Sequence, residues 1–179
     1  MNLHLLYAPL EAEDIDFRIG HVNNGGYATI LAYKDARVDM KRLDLAVGPL
    51  NWKREHARDN HNCIVSIWDA DKAQWVSKED VGTESNTEAE KGLASDSFKR
   101  ACFNWGIGRC LYDFPVISIQ LKPDEKDDKG KLKAWKLNLK EWKWAIEYND
   151  EGKCTALAAK DSNGQIRYRY GEFKKERKQ

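Results

Sequence analysis

The chain has 179 residues, of which 33% are charged, and its 30 basic and 29 acidic side chains give a formal net charge of +1. This length allows one domain, or one domain with an appendage, and it is enough for an apolar core. The near balance of charge excludes a protein that is basic over its whole surface, so any nucleic-acid site must be a local stripe of cations.

The apolar residues and the cysteines give no sign of a membrane or of export. No apolar run approaches the roughly 18 residues that span a bilayer, and the N-terminus lacks the basic-then-apolar pattern of a signal peptide. The cysteines at positions 63, 102, 110 and 154 form no C-x-x-C pair. They predict reduced, buried thiols rather than disulfides or a zinc site. We therefore expect a cytoplasmic protein with no bound metal and no membrane partner.

The N-terminal part of the chain predicts two strands and a helix. Residues 15–19 form a short strand candidate, and Tyr27–Tyr33 is a run of β-formers whose alternate residues share one face. A helix is predicted from an N-cap at Asp35 to a stop at Gly48. Its apolar stripe, spaced four, three and four residues apart, consists of Ala36, Met40, Leu43 and Val47.

Three further strand candidates lie at residues 51–57, 62–68 and 74–82. The segments that join them are short and polar, as in tight turns. A long helix follows, so this part of the chain predicts an antiparallel β-β-β-α unit.

This long helix has start signals, stop signals and a basic pair. Thr87 with Glu90, or Ser85 with Glu88, fits a capping box, and the glycines at 106 and 108 end the helix. Lys99 and Arg100 lie off its apolar face, and Arg109 follows in the glycine-rich turn. A basic pair on a rigid helix is suited to holding phosphates, although solvated surface charges give the same pattern.

After Pro115 the sequence predicts a strand at 116–121, an exposed charged loop at 123–133 and a small β-meander. The strand candidates of the meander are residues 135–139, 144–148, 154–159 and 166–170. In the last of these, Ile166, Tyr168 and Tyr170 alternate with Arg167 and Arg169, which predicts one apolar and one basic face.

The tryptophans of this region allow two interpretations. Trp135, Trp142 and Trp144 are large apolar side chains that suit packing of a small sheet. The same indoles could instead stack on unpaired bases. Packing is the interpretation that we favour.

No motif of an ATPase or a hydrolase is present. The sequence has no G-x-x-x-x-G-K-S/T segment and no G-x-S-x-G elbow. Pro123–Lys126 faintly resembles part of a metal-dependent nuclease site, which would need a further carboxylate to bind Mg²⁺. The chain is therefore predicted to be a binding protein rather than an enzyme.

Several short motifs, in this order and spacing, resemble one protein family. They are the E-D-V-G segment Glu79–Gly82, the D-x-x-K-R-A segment Asp96–Ala101, the pair Trp105-Gly106 and the segment Gly108–Asp113. The set resembles the Rad-fifty-two type of single-strand annealing proteins, and the small phage branch called Sak is the closer likeness. The resemblance covers residues 52–115 and, less closely, residues 15–48.

The resemblance implies a fold and an activity. The implied core is the antiparallel β-β-β-α unit, and subunits assemble into an oligomeric ring or filament. Together with the small C-terminal β-meander that the residue pattern predicts, we expect an α+β fold whose β-β-β-α core packs on helices. Residues 1–115 would form the DNA-binding and oligomerisation core, and residues 116–179 a β-rich extension. The implied activity is ATP-independent annealing of single-stranded DNA in recombination and repair, without a cofactor. A single-stranded-DNA-binding protein is a further candidate partner.

The resemblance also implies site residues. Lys99 and Arg100 match the basic pair on the groove helix of the family. The family can have another basic residue where this chain has Phe103, and Arg109 is the candidate replacement.

Three further candidates come from the same resemblance. Arg18 and Tyr33 match an arginine and an aromatic residue of the groove, and Lys72 falls near a lysine of a second DNA site. Three alternatives stay open at this point: a passive single-strand binder, a metal-dependent nuclease, and an adaptor that uses the tryptophan-rich sheet.

Overall fold

A computed structural model describes residues 1–83, 89–129, 131 and 137–174. In these ranges the α-helices are α1 (His4–Tyr7), α2 (Ala36–Val47) and α3 (Ala89–Asn104). The strands are β1 (Asp16–Val22), β2 (Tyr27–Tyr33), β3 (Trp52–Ala57), β4 (Asn62–Asp69), β5 (Gln74–Val81), β6 (Ile117–Gln120), β7 (Lys143–Tyr148), β8 (Cys154–Lys160) and β9 (Ile166–Tyr170).

The strands form antiparallel sheets in the orders β1-β2-β6, β3-β4-β5 and β7-β8-β9. The predicted α+β class with antiparallel sheets, including a C-terminal meander, is confirmed. The chain divides into two compact units. The first comprises Met1–Ala8 and Asp35–Arg109, and the second comprises Pro9–Lys34 and the chain from Cys110 onward. A functional division at residue 115 stays a prediction.

The helix α2 begins and ends where its sequence signals predict. The carboxylate of Asp35 accepts a hydrogen bond from the backbone N–H of Arg37, which satisfies one donor of the first turn. Gly48 ends the helix with a φ of 87°, a conformation that a side chain disfavours. The residues Leu43 and Val47 of the predicted stripe are buried in the core of the first unit.

The core of the first unit lies between one face of the β3-β4-β5 sheet and the helices. Cys63, Val65 and Ile67 alternate along β4 and share the face that packs on α3. From α3, Phe98 and Ala101 are fully buried in the same cluster. The predicted β-β-β-α unit is therefore present, and its sheet supports α3 along the buried face of the helix.

The second unit places the inner faces of its two sheets together. The rings of Phe17 in β1 and Trp144 in β7 are stacked with centroids 3.6 Å apart, and Trp142 is buried. Both tryptophans pack within the unit, as the packing interpretation predicts. Trp135 lies outside the described residues.

The face predicted for β9 is wrong in one respect. Ala159 pairs with Tyr168 but Lys160 pairs with Ile166, so Arg167 is an extra residue at an irregularity of the strand. The side chain of Arg167 is only 5% exposed, while Ile166 is 53% exposed. The irregularity therefore exchanges the environments that simple alternation predicts for these two residues.

The charged run at 123–133 is also not simply an exposed loop. Pro123–Glu125 forms a 3-10 turn, and Glu125 is buried. Its carboxylate accepts hydrogen bonds from both terminal nitrogens of Arg167, at 2.7 and 2.9 Å. The partner lies 42 positions further along the chain, so the local composition does not reveal this role.

Two further predictions fall wholly or partly outside the described residues. The capping boxes before α3 lie in a stretch that the structure does not describe. The strand predicted at 135–139 is described only from Leu137, and Leu139 begins a 3-10 turn that ends at Glu141.

The four cysteines are free and buried, as predicted. Burial raises the pKa of the Cys63 thiol to about 11. Within the described ranges no helix has both the length and the apolar character needed to span a membrane.

Candidate nucleic-acid interface

The end of β5 packs directly against the backbone of α3 at Gly82. A Cβ atom on Gly82 would lie 2.7 Å from the Ser97 nitrogen and 2.8 Å from the Leu93 carbonyl oxygen. Those distances are shorter than any normal contact, and both atoms belong to the helix backbone. The glycine of the E-D-V-G motif is therefore needed because a side chain would push the strand and the helix apart.

Two acidic residues of the motifs join the strand end to the helix. Asp96 of α3 accepts hydrogen bonds from the backbone nitrogen of Thr83 at 2.9 Å and from its hydroxyl at 3.2 Å. Asp80 of β5 accepts a hydrogen bond from the side-chain amide of Asn104 at 3.2 Å and lies 3.5 Å from the Arg100 Nε. The two motifs are thus parts of one junction, which fixes the rotation of α3 on the sheet.

Lys99 is the less constrained member of the basic pair. It is partly buried, and it makes no hydrogen bond or ion pair with a residue of the described ranges. The pKa of Asp35 is lowered, mainly because Arg37 donates hydrogen bonds to its carboxylate, with a smaller contribution from the charge of Lys99. The ammonium group of Lys99 thus has no hydrogen-bond acceptor among the described residues, and a DNA contact by Lys99 stays a prediction.

Arg100 is held at one edge and open at the other. Its side chain is 50% exposed, and its ion pair with Asp80, at 3.5 Å, is long for a charged hydrogen bond. A guanidinium group has five N–H donors in a fixed fork, so the contact to Asp80 leaves most of them available. Asp80 therefore orients Arg100 without neutralising its surface.

Arg109 caps the C-terminal end of α3. Its Nε donates to the Phe103 carbonyl and its Nη2 donates to the Asn104 carbonyl, each at 3.0 Å. The guanidinium group also lies over the Phe103 ring, 5.5 Å from the centroid. These contacts satisfy carbonyls that a helix end leaves unpaired. They give Arg109 a structural role, and a DNA contact by Arg109 stays a prediction.

Lys72 lies in the hairpin turn between β4 and β5. Its ammonium group donates to the Asp69 carboxylate at 2.9 Å, and its side chain is 67% exposed. The pKa of Lys72 is raised, chiefly by this hydrogen bond. An exposed pair of this kind contributes little to stability and can open for another anion.

Arg18 and Tyr33 belong to the second unit and share a face of the β1-β2-β6 sheet. Arg18 is opposite Leu31, and Tyr33 is two residues further along β2, so all three point to the same side. Tyr27 lies on this face too and is 40% exposed. Tyr27 is not among the predicted site residues. Its even spacing from Tyr33 predicts that both side chains lie on one face of β2, and this signal could have identified it.

The structure brings some of the predicted site residues together. Lys99, Arg100 and Arg109 are all on or just after α3, and Lys72 is in the hairpin of the same unit. Arg18 and Tyr33 are adjacent on one sheet face of the other unit. The β5–α3 junction thus fixes a helix that carries two cations at the protein surface. Such an arrangement is suited to anionic ligands.

Comparison with known proteins identifies a family that matches the segment containing this junction. The model of the Rad52/22 family, described as a double-strand break repair protein family, matches residues 70–130. This segment contains the β4–β5 turn, the β5–α3 junction and the basic pair. The resemblance to the Rad-fifty-two type of protein, predicted from the motifs, is therefore confirmed.

Two curated relatives are similar over a longer stretch. Both carry the name single-stranded DNA-binding protein DdrA, one from Deinococcus radiodurans and one from Deinococcus deserti. Each is 34% identical over 113 residues, which is 62% of this chain. That stretch is 54% of the first relative and 56% of the second, so the chain spans about half the length of the curated relatives it matches. No solved structure matches the chain.

Proposed function

We propose that this protein binds single-stranded DNA through its phosphate backbone and pairs complementary strands in recombination and repair. The observation that carries the proposal is the basic pair Lys99-Arg100 on a helix that is fixed to its sheet at Gly82, Asp80 and Asp96. The pair lies inside the segment that matches the Rad52/22 family. The names of the two similar relatives add support for single-stranded DNA as the ligand.

The proposed mechanism is electrostatic and uses no covalent step. Two complementary strands repel each other because each carries one charge per nucleotide. Lysine and arginine contacts to phosphates neutralise that charge without reading the sequence. The bases stay free to test pairing, and no nucleotide cofactor or ATP hydrolysis is required.

The same proposal includes assembly of identical subunits. One pair of cations holds a short length of strand, whereas a repeated row would hold many nucleotides in an extended form. A head-to-tail interface between copies closes into a ring or continues as a filament. Electron microscopy of the purified protein, with and without an unlabelled oligonucleotide, tests this part directly.

The site is tested by Lys99→Ala. Lys99 makes no hydrogen bond or ion pair with a described residue, so its removal leaves the junction with β5 intact. We expect single-stranded DNA binding to weaken about tenfold or more, because a hydrogen bond to a charged group contributes about 1.5–3 kcal/mol. The slope of log affinity against log salt should fall by about 0.7 for each lost phosphate contact. Fluorescence anisotropy with a labelled oligothymidine measures both.

Two variants complete this test. Arg58→Ala removes the same charge from an exposed turn of the same unit and should bind like the wild type. Adding Arg100→Ala to Lys99→Ala should nearly abolish annealing of complementary oligonucleotides. If the double variant anneals at the normal rate, the basic pair of α3 is not the site.

A passive single-strand coat is the second candidate function, because the names of the relatives specify binding rather than pairing. Renaturation of complementary oligonucleotides separates the two functions. An annealing protein accelerates renaturation of coated strands, whereas a passive coat slows it.

The nuclease alternative is disfavoured by the surroundings of Glu125. Both oxygens of its carboxylate are hydrogen-bonded to Arg167, and one also accepts from the Lys122 backbone. A carboxylate engaged in this way is not available to Mg²⁺. In the part of the chain that the structure describes, no three His, Cys, Asp or Glu side chains are grouped as metal ligands. Loss of labelled DNA with Mg²⁺, prevented by Asp124→Ala, would reverse this conclusion.

A further inference from the structure

The outer face of the β7-β8-β9 sheet carries three exposed cations, which we call the C-terminal basic face: Lys143, Lys160 and Arg169. Lys143 of β7 is directly opposite Lys160 of β8. Arg169 of β9 is opposite Ala158, which is two residues before Lys160 on the same side of β8. Side chains of paired residues lie on one face of a sheet, so the three cations point the same way.

Like charges directly opposite each other normally destabilise a sheet. Strand spacing and rise place the three cations within roughly 12 Å of one another, which is close to the screening length of about 10 Å at 0.1 M salt. Across residues 1–83, 89–129, 131 and 137–174, no acidic side chain pairs with any of the three. No described carboxylate therefore offsets their mutual repulsion.

The shape of the face suits an extended anion. Beside the cations lie Ala145 and Ala158, whose side chains are small, and Ile166, which pairs with Lys160 and is 53% exposed. At the other end of the face, the chain after β9 crosses the sheet, and the backbone nitrogen of Lys174 donates to the Glu147 carboxylate. That contact engages the nearby acidic group and leaves the basic end of the face open.

We propose that the C-terminal basic face binds the phosphate backbone of single-stranded DNA, as a contact additional to the basic pair of α3. No aromatic ring lies among its three cations, so it would contact phosphates and not bases. The face lies outside residues 70–130, which match the Rad52/22 family. The choice of single-stranded DNA as the occupant rests on the proposed function.

The first test uses Lys160→Glu, which turns the repulsive pair with Lys143 into an attractive one. We expect the melting temperature to stay equal or to rise, because opposite charges that face each other across strands are stabilising. Binding of oligothymidine should weaken, and the salt slope should fall by about 0.7 or more. A purely structural lysine would not give this opposite response of stability and binding.

Lys153→Glu is the matched control. Lys153 is exposed in the turn at the far end of the same β7–β8 hairpin. Its replacement by glutamate changes the net charge by the same amount as Lys160→Glu. Lys153→Glu should bind single-stranded DNA with an affinity close to that of the wild type. Equal weakening by the two single variants would mean that only net charge matters and would overturn the proposal.

The second test replaces all three cations, in Lys143→Gln, Lys160→Gln and Arg169→Gln together. Each lost contact lowers the slope of log affinity against log salt by about 0.7, so the slope should fall by about 2. If the affinities of the two proteins converge at 1 M salt, the triple variant should bind about 100-fold more weakly than the wild type at 0.1 M salt. An unchanged slope would overturn the proposal. So would a loss of binding that is seen with a hairpin duplex but not with oligothymidine. Wild-type protein that binds no oligothymidine even at low salt would overturn the proposed function as well, whereas normal binding by the triple variant overturns only this inference.

Discussion

Arg100 in α3 and Arg167 in β9 are both arginines of stretches that are basic in sequence, but the structure uses them differently. Arg100 is half exposed, and among the described residues its ion pair is the 3.5 Å contact with Asp80. Arg167 is almost fully buried, forms a two-pronged pair with Glu125 and lies 5.0 Å above the centroid of the Trp142 ring. The number of polar partners thus separates an arginine that is available to a ligand from one that holds the fold together.

The same difference separates neighbours in one strand. Arg169 lies two residues after Arg167, yet it is exposed and belongs to the C-terminal basic face. A count of basic residues along a strand therefore overestimates the charge that it offers to DNA. The three predictions below test this distinction and the rigidity of the helix that carries the first pair.

The largest effect is expected for Arg167→Ala. Removing one partner of a buried ion pair leaves Glu125 buried without its counter-charge, and Asp161 loses a neighbour 3.5 Å away. We expect the free energy of unfolding to fall by about 3–5 kcal/mol. Urea denaturation measures the change, and Arg169→Ala is the control. Equal, small losses in the two variants would show that the buried pair contributes no stability.

A smaller loss is expected for Gly82→Ala. The added methyl group would overlap backbone atoms of Leu93 and Ser97, so β5 and α3 must separate. Overpacking of this kind costs about 1–3 kcal/mol. Gly25→Ala is the control, because its methyl group would meet only ordinary contacts, the nearest at 3.4 Å. Thermal unfolding of both variants checks the difference, and single-strand binding by Gly82→Ala should weaken as the cations of α3 shift.

The smallest effect concerns acid. The pKa of Asp161 is lowered, first by the hydrogen bond from Lys122, so the folded state binds its proton less readily than the unfolded state does. Its stabilising contribution is therefore present above the ordinary carboxyl pKa of about 3.9 and is lost as the pH falls through the lower folded value. Melting temperatures of the wild type should drop in this acid range. Asp161→Asn should drop less steeply there, and parallel curves would contradict the assignment.

Most secondary structure could be predicted because its signals are local. The cap at Asp35, the stop at Gly48 and the alternation in β2 each depend on residues a few positions apart. The β-β-β-α unit was predictable for the same reason, since short polar turns join its strands. These elements are formed where the sequence indicates.

The features that could not be predicted depend on residues far apart in the chain. Arg167 is buried because Glu125, 42 positions earlier, accepts both of its terminal nitrogens, and no local pattern encodes that pairing. The role of Gly82 as a contact with α3, and of Arg109 as the cap of that helix, emerges only when strand and helix are packed. The sequence identified the candidate cations, but their partners determine which of them are available.

The burial of every native thiol has a practical consequence. Reagents such as maleimides attack the thiolate, and a thiol like Cys63, with its pKa raised to about 11, supplies very little of it at neutral pH. A cysteine introduced at an exposed turn position such as Ser162 would therefore take up a fluorophore selectively, with all four native cysteines left in place. Energy transfer between donor- and acceptor-labelled copies would then test whether copies of this chain associate in solution.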